Sequence, residues 1–165
     1  MLVFALNATD ASSTWFAIFK VIHVSVAVFW VGGGLLLTAL AMRAERARNS
    51  ADLATIARQA AFAGERLFAP AGLVVLAMGI AMVINRHIGW GTFWVDAGLV
   101  GYAATFVTGI AVLSPLAKRI TVLQEEHGPE APETQAAIGH ILLIARVDLG
   151  LLLLVIADML LKPFS

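Results

Sequence analysis

A long uncharged run near the N-terminus constrains this chain more than any other feature. Residues 21–42 read VIHVSVAVFWVGGGLLLTALAM, and His23 is their only ionisable side chain. At about 1.5 Å of rise per residue, a helix of this length crosses a hydrocarbon core of roughly 30 Å. Trp15 and Lys20 precede the run and Arg43 follows it, and these residue types favour the membrane interface. The run therefore predicts a transmembrane helix with a histidine near one end.

Three further apolar runs follow. Residues 67–84 and 97–117 carry no formal charge, and residues 138–161 are apolar apart from a few polar side chains. The chain is 60% hydrophobic, whereas soluble domains are about 45–50% apolar. We therefore predict an all-α integral membrane protein in which residues 1–165 form a single four-helix transmembrane domain. The helices are expected over about 15–42, 67–86, 94–117 and 138–161.

The polar and helix-breaking residues predict where these helices begin and end. Asn49 and Asp52 offer caps for a helix that continues toward the second membrane segment. Pro70 is expected in the first turn of that segment, and Pro115 is expected to kink or terminate the third helix. The polar, acidic stretch TVLQEEHGPEAPETQ is predicted to be a loop outside the membrane.

The distribution of basic residues predicts the orientation. The connections after the first and third helices carry most of the Lys and Arg residues: Arg43, Arg46, Arg48, Arg58, Arg66, Lys118 and Arg119. The other side has only Lys20, Arg86 and Lys162. By the positive-inside rule both termini are expected to be non-cytoplasmic, and we expect a bacterial inner membrane protein.

Composition also limits the expected cofactors and partners. There are no cysteines, which excludes disulfides, Fe–S clusters, thiolate metal sites and covalent c-type haem attachment. Because the formal net charge is zero, the total charge indicates no nucleic-acid partner. The expected partner is the lipid bilayer, and a homo-oligomer is left open.

His23 is the first candidate functional residue. On a helix it shares a face with Ala27, Trp30 and Gly34, and most of that face is small enough for close approach of a flat ligand. An imidazole inside a bilayer needs a partner. Two interpretations stay open: a ligand for a metal or cofactor, or a hydrogen bond to a carbonyl of a neighbouring helix.

Arg146 is the second candidate, because an arginine facing lipid at this depth would be costly. It is expected to bind an anionic ligand group, to form an ion pair with Glu65 or Asp148, or to extend toward the cytoplasmic surface. Asp148 and Asp158 are candidates for pairing or proton relay.

Met78, Met82 and His87 are candidates for a second metal ligand. The two methionines lie about one turn apart, and thioether sulfur can bind haem iron or Cu(I), although packing is the commoner use of such residues. His87 follows the outer end of the second helix and could approach the level of His23.

Three stretches together resemble a known group of proteins: FKVIHVSVAVFWVGGGLL, GERLFAPAGLVVLAMGIAMV and ARVDLGLLLLVIADMLLKPF. They are similar to the four-helix membrane proteins grouped with the CopD copper-resistance proteins. More distantly, they resemble HemJ-type protoporphyrinogen oxidases, which share a K-x-x-H opening and a C-terminal K-P-F.

The resemblance implies a four-helix bundle and, in the HemJ branch, a bound b-type haem. The helix-one histidine of that branch matches His23, its helix-four arginine matches Arg146, and its terminal lysine matches Lys162. Two departures count against protoporphyrinogen oxidation. The helix-three histidine–alanine–lysine cluster is replaced by WVDAG, and an Asn-Glu pair is replaced by Asp148-Leu149.

The leading expectation is therefore a membrane protein that binds haem b and exchanges electrons with a quinone or a partner oxidoreductase. His23 would ligate the haem iron, with Met78, Met82 or His87 as the second ligand, while Arg146 and Lys162 would contact the cofactor. Any enzymatic activity would be that of a haem-dependent membrane oxidoreductase. The alternatives are a CopD-like copper transport or tolerance protein and a non-catalytic membrane subunit or assembly factor.

Overall fold

The computed structural model describes residues 2–163, with side chains from Ser13 onward. The described residues form six α-helices: α1 (Leu2–Arg46), α2 (Ser50–Ala63), α3 (Ala69–Asn85), α4 (Phe93–Thr108), α5 (Ser114–His127) and α6 (Pro132–Leu161). A π-helical turn joins α2 to α3, and another joins α4 to α5. The result is four continuous helical rods, each with a segment long and apolar enough to cross a membrane. The predicted all-α, four-helix membrane fold is confirmed.

The rods are longer than the apolar runs that predicted them. α5 continues to His127 and α6 begins at Pro132, so most of TVLQEEHGPEAPETQ is helical and the predicted long loop is wrong. The reason is an apolar face of α5 that continues past the end of the uncharged run. Ser114, Ala117 and Ile120 recur at helical spacing on α5 and are buried.

A small hydrophobic core covers that face. Ile120, which is fully buried, packs in one cluster with Leu53 of α2, Ile138 and Leu142 of α6, and two alanines near the end of α1. This cluster lies where the α1–α2 and α5–α6 connections meet, which we call the Arg-rich end; the α3–α4 connection marks the opposite end. The side chain of Asn49 accepts a hydrogen bond from the Asp52 N–H, which confirms the predicted cap of α2.

Each π-helical turn ends two residues before a proline. Gly64–Phe68 leads into Pro70, and Gly109–Leu113 leads into Pro115. A proline inside a helix lacks an N–H and clashes with the preceding turn. In each wider turn a backbone N–H bonds the carbonyl five residues earlier, from Ala69 to Gly64 and from Ser114 to Gly109. The helical register therefore changes just before the proline ring. Pro70 therefore lies in the first turn of α3, as predicted, whereas Pro115 lies in the first turn of α5 and does not terminate the third rod.

Aromatic side chains fill the middle of the bundle. The Tyr102 hydroxyl donates a hydrogen bond to the Gly72 carbonyl at 2.8 Å. The Tyr102 ring stacks on Phe106 at 5.5 Å between centroids and meets the edge of Trp30 at 5.7 Å. A Cβ atom on Gly72 would lie 2.6 Å from the Phe106 ring. Glycine at this position therefore leaves room for the Phe106 ring against the backbone of α3.

Candidate functional site

His23 hydrogen-bonds the neighbouring helix. Its Nδ1 lies 2.8 Å from the carbonyl oxygen of Val75 on α3. Because a carbonyl can only accept, Nδ1 carries the hydrogen, and in the neutral imidazole Nε2 carries the lone pair. A Cβ on Gly79 would lie 3.3 Å from Cε1 of the ring, so the glycine gives the imidazole its place against α3.

This contact bears on both interpretations of His23. It is the interhelical hydrogen bond to a carbonyl that the structural interpretation predicted. It is also the second contact that metal-binding histidines usually make, because donation from one ring nitrogen orients the other nitrogen toward the metal. The second ring nitrogen of His23 would therefore suit the iron of a haem if one were bound.

The three other candidate ligands differ in how they relate to His23. Met82 is three residues beyond Gly79, so helical geometry places it on the α3 face that meets His23. Met78 immediately precedes Gly79 and lies about 100° around the helix from it. His87 is exposed in the α3–α4 connection, with a left-handed backbone (φ 51°). Of the three, Met82 has the most favourable position on the helix.

Lys162 lies at the same end as His23 but belongs to a different contact. It ends α6 in a left-handed conformation (φ 45°), and its Nζ lies 5.1 Å above the centre of the Trp94 ring. A cation over an aromatic face is favourable. This contact ties the end of α6 to the beginning of α4.

Arg146 lies far from His23. Its guanidinium forms an ion pair with Glu45 on α1, with an N–O distance of 2.5 Å. The predicted partners were wrong, because Glu65 pairs with Lys118 and Asp148 has no ion pair among the residues that the structure describes. Glu45 follows His23 on one helix by about 33 Å at 1.5 Å per residue. The structure therefore does not bring Arg146 and His23 together, which argues against a haem site shared by the two.

A cavity of about 170 Å³ lies between the four rods, in the half of the bundle toward the Arg-rich end. Trp30 and Phe106 line it, and both π-helical turns contribute to its wall. Asp148 also lines it, and the Oδ1 atom of this residue is buried without a hydrogen-bond partner in the described part of the chain. None of the six predicted site residues lines this cavity or the second, groove-like cavity of about 450 Å³ beside Phe29 and Phe62.

The described residues contain no group of three or more His, Asp or Glu side chains placed to hold a metal ion. The sequence analysis missed Glu45 as a partner and Tyr102 as a link between helices. Glu45 is the first acidic residue after the first apolar run. That position, close to the membrane surface and therefore to Arg146, is the signal that could have identified it.

The sequence profile of one family matches residues 17–163, nearly the whole of the described chain. The description of that family is a predicted integral membrane protein (DUF2269). No match was found among curated proteins or among solved structures. The match agrees with the four membrane-length helices, and nothing in the comparisons relates the chain to CopD or HemJ proteins. The chain belongs to the DUF2269 family of integral membrane proteins.

Proposed function

We propose that the protein binds a b-type haem through His23 and takes part in electron transfer within the membrane. One observation carries the proposal. The Nδ1–H of His23 is donated to the Val75 carbonyl, which leaves the Nε2 lone pair available for iron. A bound haem would supply one-electron redox chemistry, and the natural partners of such a site are a quinone or a membrane oxidoreductase.

The protein's own residues would fix the histidine and tune the site. The hydrogen bond to Val75 selects the tautomer of His23 and restricts rotation of its ring. Gly79 leaves room for the ring edge, and Met82 is the preferred candidate for a second ligand because it shares that face of α3. Arg146 is not part of the proposed haem site, because its guanidinium forms an ion pair with Glu45.

We also propose an orientation in a bacterial inner membrane. The Arg-rich end would face the cytoplasm and both termini would lie on the other side. The support is the excess of Arg and Lys residues on the helical segments beside the connections of that end. His23 would then lie in the outer half of the bilayer.

A non-catalytic membrane subunit is the second candidate function. It is favoured by the structural partners of two intramembrane polar residues, the Val75 carbonyl for His23 and Glu45 for Arg146. Nothing of that kind favours copper transport, and the described His, Asp and Glu side chains form no group of three that could hold a metal ion.

The visible spectrum of the purified protein tests the proposal. The full chain is expressed in cells supplied with a haem precursor, extracted in a mild detergent and measured oxidised and reduced. A Soret band with sharp α and β bands on reduction is expected. The control is a b-type cytochrome expressed in the same cells. If the control contains haem and the preparation of this protein is colourless, the haem proposal is refuted and the non-catalytic subunit is the remaining interpretation.

A further inference from the structure

We propose that the cavity beside Asp148 is a binding site for a small organic cation. The proposal is independent of haem, because none of the residues assigned to the His23 site lines this cavity.

The first argument is charge. The Oδ1 atom of Asp148 is buried, and no described residue gives it a hydrogen bond. Arg146, two residues earlier on α6, is paired with Glu45, and Lys118 on α5 is paired with Glu65. A carboxylate at membrane depth without a counter-charge is costly. A cation in the cavity would supply the missing charge.

The second argument is the chemistry of the walls. Trp30, Phe68 and Phe106 present aromatic rings, and Thr38 and Ser114 bring hydroxyl groups to an otherwise mainly apolar lining. Aromatic rings together with a carboxylate suit an ammonium group, since the rings attract the cation and its alkyl groups are easily desolvated. A metal ion would instead require several oxygen ligands.

The third argument is size. The cavity volume is about 170 Å³, and an apolar cavity of about 150 Å³ in another protein accommodates benzene. The ligand is therefore expected to have about five to seven non-hydrogen atoms. Gly34 and Gly109 both line the cavity, and a Cβ at either position would meet no atom within 4 Å. A larger side chain there would therefore occupy space that glycine leaves empty. The two π-helical turns at the wall are features that recur at functional sites.

Tetramethylammonium is the probe, and tert-butyl alcohol is its uncharged counterpart of the same heavy-atom number. The purified full chain in detergent is titrated with each at constant ionic strength, and binding is followed by tryptophan fluorescence and by the melting temperature. Saturable binding of tetramethylammonium that raises the melting temperature is expected, with no saturable effect of the alcohol.

Two variants and their matched controls locate the site. Asp148→Asn should weaken binding about tenfold or more, because it removes the charge while keeping the volume. Asp158→Asn is the control: this carboxylate is on the same helix and also has a buried, unpartnered oxygen, but it does not line the cavity. Gly34→Val should abolish binding by filling the cavity, whereas Gly32→Val, at an exposed position outside the lining, should not.

Several results would overturn the proposal. They are the absence of saturable binding to the wild type, an equal effect of the alcohol, stronger binding of sodium than of tetramethylammonium, and unchanged affinity in Asp148→Asn. If Asp148→Asn does not fold, the comparison of Gly34→Val with Gly32→Val decides, and equal affinity in those two variants refutes the site.

Discussion

Replacing Arg146 with leucine is expected to destabilise the bundle by about 1 kcal/mol, through loss of its ion pair with Glu45. The side chains are 43% and 41% exposed, so water screens the pair considerably. Exposed pairs contribute about 0.2–1 kcal/mol, whereas removing one partner of a buried pair costs about 3–5 kcal/mol. Because both side chains are partly exposed, we expect the contribution of this pair to lie near the upper limit of the range for exposed pairs. Leucine keeps apolar contact along the arginine stem, so the loss reports mainly the charge.

A double-mutant cycle measures the pair. Glu45→Gln, Arg146→Leu and the double variant are unfolded reversibly in mixed micelles, and a coupling free energy of about 0.5–1 kcal/mol is expected. Arg58→Leu is the control, because Arg58 is exposed on α2 and donates a hydrogen bond of 3.3 Å to Thr55 on the same helix. Its effect should be within about 0.5 kcal/mol. The reasoning is refuted if the coupling is zero and the two arginine variants are equally stable. Loss of bound haem in Arg146→Leu but not in Glu45→Gln would show that Arg146 belongs to the cofactor site after all.

Two further predictions test the packing and the orientation. Gly72→Ala should lower the melting temperature, since a Cβ 2.6 Å from the Phe106 ring costs about 1–3 kcal/mol, against a helix gain of about 0.5–1 kcal/mol. Gly32→Ala should be neutral or stabilising because no atom lies within 4 Å of a Cβ placed there. An equal loss of stability in the two variants would contradict the contact between Gly72 and the Phe106 ring. Reporter fusions should place residues 49–59 in the cytoplasm and the C-terminus after Ser165 outside it; a cytoplasmic C-terminus would reverse the proposed orientation.

The four helices could be predicted from the sequence because a bilayer demands long uncharged segments, and four such segments stand out. Their ends could not be predicted in the same way. Charge ends the part of a helix that can lie in hydrocarbon, but it does not end the helix itself. α5 continues past Lys118 because Ile120 finds a buried position against Leu53 and Ile138. That position depends on how three rods assemble.

The candidate site was predictable in its residues and less so in its contacts. His23 stands out as an imidazole in an apolar run, and a hydrogen bond to a backbone carbonyl was one of its two interpretations. The choice of Val75 depends on the relative position of α1 and α3. Arg146 finds Glu45 across 101 positions of sequence, which no local pattern indicates. Residues of all four rods and of both π-helical turns line the cavity at Asp148. The sequence therefore identified Asp148 as a candidate, but it could not predict the cavity around it.

Haem content of His23→Ala, per amount of membrane-inserted protein, tests the central claim most directly. Alanine keeps the helix apolar, so insertion should be normal while the haem content falls sharply relative to wild type. His127→Ala is the control, because His127 is exposed near the end of α5, and its haem content should be unchanged. If the wild type carries haem and His23→Ala retains it with an unchanged spectrum, losing only about 0.6–2 kcal/mol of stability from the hydrogen bond to Val75, His23 is a structural residue and not the haem ligand.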